Sequence, residues 1–246
     1  SIALTDHGVM FGVVDFYKEC KKQGVKPIIG CEVYVAPRTR FDKEPNIDNH
    51  YYHLILLAKN ETGYKNLTHL VSMGFTEGFY YKPRIDYEIL EKYHEGLICC
   101  SACLAGEIPQ AILKGDMDEA EKAAMWFKNV FGEDYYLEIQ NNGINEQVLV
   151  NQKLVELSHK LDIPLVATND SHYLKKEDAY NHEILLCIQT GKKITDDDRM
   201  RFETDELYIK SPEEMSDYFK NVPEAIENTV KIAEKCNVEF EFGHTI

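Results

Sequence analysis

Two periods of apolar residues alternate along the chain. Short continuous apolar runs at 27–35, 54–58, 97–100, 135–139 and 163–167 have the length and composition of strands. Between them lie stretches with apolar residues three and four apart. The segment 119–131 is preceded by Asp116, which with Glu119 has the spacing of a capping box, and it places Ala120, Ala123, Phe127 and Val130 on one helical face. Leu154, Leu157 and Leu161 do the same in the next helix. Strand-helix alternation over this length predicts an α/β fold with a mainly parallel sheet, and strands this apolar are covered on both faces. A closed barrel is expected rather than an open sheet. Residues 211–236 predict helices only, opening with Ser211-Pro212-Glu213-Glu214 as cap, proline and acidic first turn. The opening Ser1-Ile2-Ala3-Leu4-Thr5-Asp6-His7-Gly8 reads as the end of a buried strand running into a polar turn, so the chain is expected to start inside a fold.

Composition narrows the class. With 246 residues, 44% of them hydrophobic, the chain can bury one barrel-sized core or two smaller ones. No apolar run approaches the roughly 18 to 20 residues that span a bilayer, and nothing resembles a signal peptide. A soluble, cytoplasmic protein without membrane contact is expected. The seven cysteines, an odd number, sit mostly inside apolar runs, where a reduced thiol packs as a small hydrophobe. The net charge of −15 argues against a broad nucleic-acid-gripping surface. Bound cations can reverse the field locally, so an acidic domain can still act on phosphate esters.

Candidate chemistry follows from where metal-competent side chains fall. Asp6 and His7 follow one strand, Asn169, Asp170 and His172 follow another, and Cys103 comes shortly after the run 97–100. Groups just past the C-terminal ends of parallel barrel strands converge on one rim. Glu32 lies within a strand so apolar that its carboxylate needs a partner, and a metal would serve. His53 is harder to place, because at the start of a parallel strand it would face the opposite rim. It fits only if its strand runs antiparallel or the barrel is distorted, and His50 is the weaker substitute. Either Asp-His pair alone reads more readily as a helix cap with a surface histidine, but two such pairs change the balance. Cys100 and Cys103 have the spacing of a redox or zinc pair, yet no second pair follows, so Cys103 reads as a single ligand. His69, His94, His159, His182 and His244 have no acidic or histidine companions in the sequence and read as structural.

The segments Thr5-Asp6-His7-Gly8, Gly30-Cys31-Glu32-Val33-Tyr34, 53–60, 78–86, 167–173 and 201–206 together resemble the PHP (polymerase and histidinol phosphatase) domain of bacterial DNA polymerase III alpha subunits. Their order and spacing cover nearly the whole chain, and the run from Gly78 to Asp86 resembles the polymerase branch rather than stand-alone PHP phosphatases. The resemblance implies a distorted (β/α)7 barrel of the PHP type over residues 1–246, holding up to three metal ions at its C-terminal rim. It also implies that the first strand and first metal motif lie before Ser1, and that 211–246 lead toward the polymerase domains. Residue by residue, it carries metal ligation to His7, Glu32, His53, Cys103, Asp170 and His172, with Asp6 and Asn169 orienting their neighbours.

The function so implied is that of a domain of a replicative DNA-directed DNA polymerase, a nucleotidyltransferase. Within it this part is a metal-dependent phosphodiesterase and 3′-to-5′ proofreading exonuclease, with Glu32 and Asp170 as catalytic carboxylates able to bridge ions. Mixed His, Cys and carboxylate ligation favours zinc, with manganese or magnesium as alternatives. Lys82 and Arg84 are candidate DNA contacts, weighed against ordinary surface charges. Expected partners are DNA, other domains of the same polymerase chain and the replicative proofreading subunit. Two alternatives stand beside this reading: a structural metal-binding and partner-docking module, and a stand-alone PHP-type phosphatase. Residues 1–246 alone are expected to be inactive and to bind one or two ions weakly.

Overall fold

In the computed structural model, which describes residues 1–243, the apolar runs form strands and the amphipathic stretches form helices. In chain order these are β1 (Ile2–Leu4), α1 (Val13–Lys22), β2 (Pro27–Val35), β3 (Tyr52–Ala58), α2 (Glu61–Thr76), β4 (Phe79–Tyr80), β5 (Lys82–Ile85), α3 (Tyr87–Lys92), β6 (Leu97–Cys100), α4 (Glu107–Leu113), α5 (Met117–Phe131), β7 (Tyr135–Gln140), α6 (Asn145–Leu161), β8 (Leu165–Thr168), α7 (Ala179–Thr190), α8 (Pro212–Tyr218) and α9 (Pro223–Lys235). His244 lies outside the described residues. No helix among them is long and apolar enough to cross a membrane.

The strands form one sheet in the order β4-β5-β2-β3-β6-β7-β8, with β1 also paired to β2. All pairings are parallel except those of β3 with its two neighbours and of β4 with β5. β2 is buried along its whole length, as its apolar sequence, interrupted only by Glu32, requires of a strand covered on both faces. The convex face packs under the helices through a large cluster that includes Ile29, Leu56, Leu97, Phe127 and Leu154. A second cluster fills the concave face, where Ile28, Leu57, Ile98, Tyr136 and Val166 meet Ile232, Ala233 and Cys236 at the end of α9. The terminal helix is thus part of the body of the fold: Asn228 on α9 donates to Leu165 O of β8, and Lys26 donates to Ala233 O.

The result is a distorted α/β barrel, and it departs from the closed form expected. Among the described residues β1 and β8 do not pair with each other, and a cleft of about 990 Å³ runs between them from α9 to the opposite rim. Eight strands form rather than seven, although β4 has only two residues. Local signals held where they were strongest. Asp116 caps α5 by accepting from Glu119 N, and Ser211 and Glu214 form a reciprocal capping box with Pro212 in the first turn of α8.

Candidate metal centre

The upper end of the cleft is built from the ends of four strands. After β1 the chain keeps pairing with β2, since Glu32 N donates to Asp6 O and Gly8 N donates to Glu32 O, so His7 lies directly beside Glu32. Gly8 makes this turn feasible. It has φ +67°, and a Cβ there would stand 2.7 Å from the Tyr34 ring. The awkward placement of His53 is resolved by strand direction: β3 runs antiparallel to β2 in the register Tyr34↔His53, so its first residues reach the rim where the parallel strands end. His50 is exposed and is not needed.

Glu32 is 4% exposed, and its Oε1 has no hydrogen-bond partner. That oxygen is flanked by His53 Nδ1 and by His7 Nε2 at 3.5 Å, an approach without hydrogen-bond geometry to either ring. Donor atoms of His7, Glu32 and His53 all lie within 4.8 Å of one another. Cys103 Sγ is 3.6 Å from His53 Nδ1. Burial pushes the Cys103 thiol well above its ordinary range, and the charges of Asp170 and Glu32 push it the same way. A buried, unpartnered carboxylate oxygen among imidazoles and a thiol is a donor set that fits a divalent cation, which would also draw off the thiol proton.

The end of β8 supplies the rest. Asp170 adopts φ +50°, and its Oδ1 lies 3.3 Å from His172 Nε2. Burial works against charge on His172, but the hydrogen bond and charge of Asp170, with Glu32 beyond, outweigh it and raise its pKa. The His172 ring is 5.8 Å from that of His7, which joins this pair to the first cluster. All six expected ligand residues therefore come together. Asn169 turns away from the cluster: its amide donates to Glu206 O and Tyr208 O and its oxygen accepts from the buried Lys210, which pins the loop that carries Asp170. Asp6 contributes its main-chain oxygen, which accepts from Glu32 N and the Cys31 thiol.

Two site residues escaped the sequence reading. Glu138 on β7 is buried beside the cleft and accepts from Ala102 N at 3.1 Å, from Gln140 Nε2 and from the Thr168 hydroxyl. It thereby ties the loop bearing Cys103 to the strand that leads to Asp170. Burial raises its pKa to about 7, with Asp170 and Glu32 adding to the raise. A carboxylate within the otherwise apolar run 135–139 is the same signal that singled out Glu32, and it was available here. His182 on α7 does have a histidine companion: its ring lies 5.4 Å from His172 and 5.7 Å from Phe202. Burial, then the neighbouring charge of His172, lowers its pKa.

Arg84 requires correction as a candidate DNA contact. It is fully buried and donates to the carbonyls of Gly78, Asp48, Arg40 and Asp42, so it braces residues 36–51 against β5 and cannot reach a ligand. The same loop is held by Arg38 on Asp48 and by Arg40 on Asp86 and Glu77. Lys82 is different, half-buried with its ammonium 5.4 Å from the Tyr34 ring centroid.

Comparison with known proteins agrees with this geometry. The family model described as PHP domain matches residues 1–142. The chain is 56% identical over 237 residues to the DNA polymerase III subunit alpha of Borreliella burgdorferi, covering 96% of this chain and 21% of that protein. It is 52% identical to the same subunit of Treponema pallidum, over 97% of this chain and 20% of that protein. For the Thermus aquaticus subunit the identity is 48%, over 99% of this chain and 20% of the relative. The chain thus spans about a fifth of the length of the curated relatives it matches. With the matched model covering more than half of its length, the chain belongs to the PHP domain family, as a PHP domain of the kind that DNA polymerase III alpha subunits carry.

Proposed function

We propose that this domain is the metal-dependent phosphodiesterase of a bacterial replicative DNA polymerase, acting in the intact protein as a 3′-to-5′ proofreading exonuclease. The observation that carries the reading is the buried, unpartnered Glu32 Oε1 facing two imidazoles. His7, Glu32, His53 and Cys103 would hold one divalent ion, and Asp170 and His172 a second, with Glu32 and Asp170 as the catalytic carboxylates. Ions bound there supply charge neutralisation for phosphate oxygens and activation of water. Sulfur and imidazole donors favour zinc, with manganese or magnesium at the oxygen-rich positions. The chain's own residues do the rest: Glu138 fixes the Cys103 loop and the end of β8, and Asn169 and Lys210 fix the approach of Asp170.

The open seam between β1 and β8 has room for a further strand, and we place there the ligands that would complete the cluster. Residues 1–246 alone would then be inactive and bind metal weakly. Nucleotidyl transfer would belong to other domains of the same chain, in the cytoplasm, with DNA as the shared substrate. Manganese- or zinc-dependent release of 3′ nucleotides by the full-length protein, abolished by Asp170→Asn or His172→Ala, is the expected result. Absence of metal-dependent release from the wild type, with polymerase activity intact, would sink the nuclease.

One observation favours a second reading, a structural module that docks partners. α7 and its surroundings expose Leu174, Tyr180, Leu185 and Ile188, an apolar face suited to another polymerase domain or to the replicative proofreading subunit. This reading predicts that Asp170→Asn lowers thermal stability and partner binding, with no hydrolysis to lose.

A further inference from the structure

The hairpin of β4 and β5 pairs Phe79 with Pro83 and Tyr80 with Lys82, which leaves Tyr81 alone at the turn. Tyr81 has φ +60°, a conformation that glycine or asparagine adopts with little strain and an aromatic residue does not. Its ring is 69% exposed and rests edge-on against Tyr80 at 4.7 Å, so burial does not explain why a tyrosine stands there. Strain of this kind, held in place by surrounding structure, is a mark of positions used for contact.

The hairpin also stands beside the metal centre. Gly8, the residue after His7, packs against Tyr34 and Pro83 so closely that a Cβ would lie 3.0 Å from the proline ring. Tyr34 continues the contact inward, with its ring 5.3 Å from His53 and 4.9 Å from Tyr51, while Tyr51 lies parallel to His53. Lys82 sets an ammonium on the Tyr34 face. Buried Tyr34 thus connects His53 to Lys82 and so to the turn, where the exposed Tyr81 ring stands beside a cation within a chain of net charge −15. An exposed aromatic face combined with a local positive charge is what holds single-stranded nucleic acid without sequence preference.

We infer that the hairpin 79–83 holds the single DNA strand whose 3′ end reaches the metal centre, Tyr81 stacking on a base and Lys82 contacting a backbone phosphate. The inference rests on the phosphodiesterase reading for its substrate. It is tested in the full-length protein with an oligodeoxynucleotide bearing 5-iododeoxyuridine at its 3′ end, photo-crosslinked and mapped by mass spectrometry. Label is expected on the peptide containing Tyr81. Tyr81→Gly should reduce that label and weaken binding about tenfold, while the melting temperature stays level or rises as the backbone strain is relieved. Lys82→Gln should lower the slope of log affinity against log salt by about 0.7, one phosphate on a single strand, and Lys82→Arg should restore it. Wild-type labelling in Tyr81→Gly, or no label on this peptide, overturns the inference; so does a loss of stability in Tyr81→Gly that matches the loss of label. If label maps to Tyr81 but no metal-dependent release occurs, the strand site stands and the nuclease falls. If release occurs and both variants bind as the wild type, the nuclease stands and the strand site falls.

Discussion

Replacing Glu138 by glutamine in metal-free protein should remove a pH dependence of stability that the wild type carries between about pH 4.5 and 7. Burial, reinforced by the charges of Asp170 and Glu32 and opposed by hydrogen bonds from Thr168 and Gln140, raises this carboxyl from 4.5 to about 7. Because the folded-state pKa lies above the unfolded one, the protonated side chain contributes fully below pH 4.5. That contribution is lost as pH rises through 7. A raise of this size corresponds to about 3 kcal/mol, at 1.36 kcal/mol per pH unit. Glutamine keeps the shape and a carbonyl for Ala102 N without ionising, so the variant should lose this part of the pH dependence and keep only that of the other titrating groups. It should start about 1 kcal/mol lower at pH 4.5 for one poorer hydrogen bond. Trp126, the single tryptophan, stacks on Tyr87 at 3.9 Å and reports unfolding by its fluorescence. Urea unfolding at steps from pH 4.5 to 8 in the presence of a chelator gives the two profiles, and their difference isolates Glu138 from the other acids. Parallel profiles would refute the reasoning, since a buried carboxyl of ordinary acidity leaves no such difference.

Other perturbations reach different parts of the molecule. Arg84→Met should cost about 3 to 5 kcal/mol in urea unfolding, because it removes a guanidinium that donates to four carbonyls, three of them in fully buried bonds; it should leave the salt dependence of any DNA binding unchanged in the population that folds. Gly63→Ala should cost about 3 kcal/mol or more, since a Cβ there would sit 1.9 Å from Gly96 O and force α2 away from the loop before β6. In cobalt-substituted protein, Cys103→Ser should abolish thiolate-to-metal charge-transfer absorption, and its persistence would remove Cys103 from the ligand set.

What the sequence made legible divides along a physical line. Helix caps at Asp116 and Ser211 depend on neighbours three residues away, and both residues cap their helices, although only Ser211 and Glu214 do so reciprocally. The convergence of His7, Cys103 and Asp170 on one rim followed from strand ends, which apolar periodicity also marks. Strand direction is different, because the run containing His53 has the same pattern whether it lies parallel or antiparallel. Only the pairing with β2 and β6 decides which rim it reaches. Arg84 was misjudged because a lone arginine in a polar motif looks solvated; four carbonyls gathered from distant turns are invisible in one dimension. His182 was missed for a similar reason, since its contact with His172 depends on how α7 folds back over the end of β8.

The reversal of β3 has a last consequence. Because β2 ends and β3 begins at the same rim, residues 36–51 must cross that rim, and Arg38, Arg40 and Arg84 clamp them there. The seam between β1 and β8, by contrast, is bounded by no strand pairing among the described residues. The two flanks of the cleft therefore differ in rigidity, and local opening should begin at the seam and spare the clamped arch of 36–51.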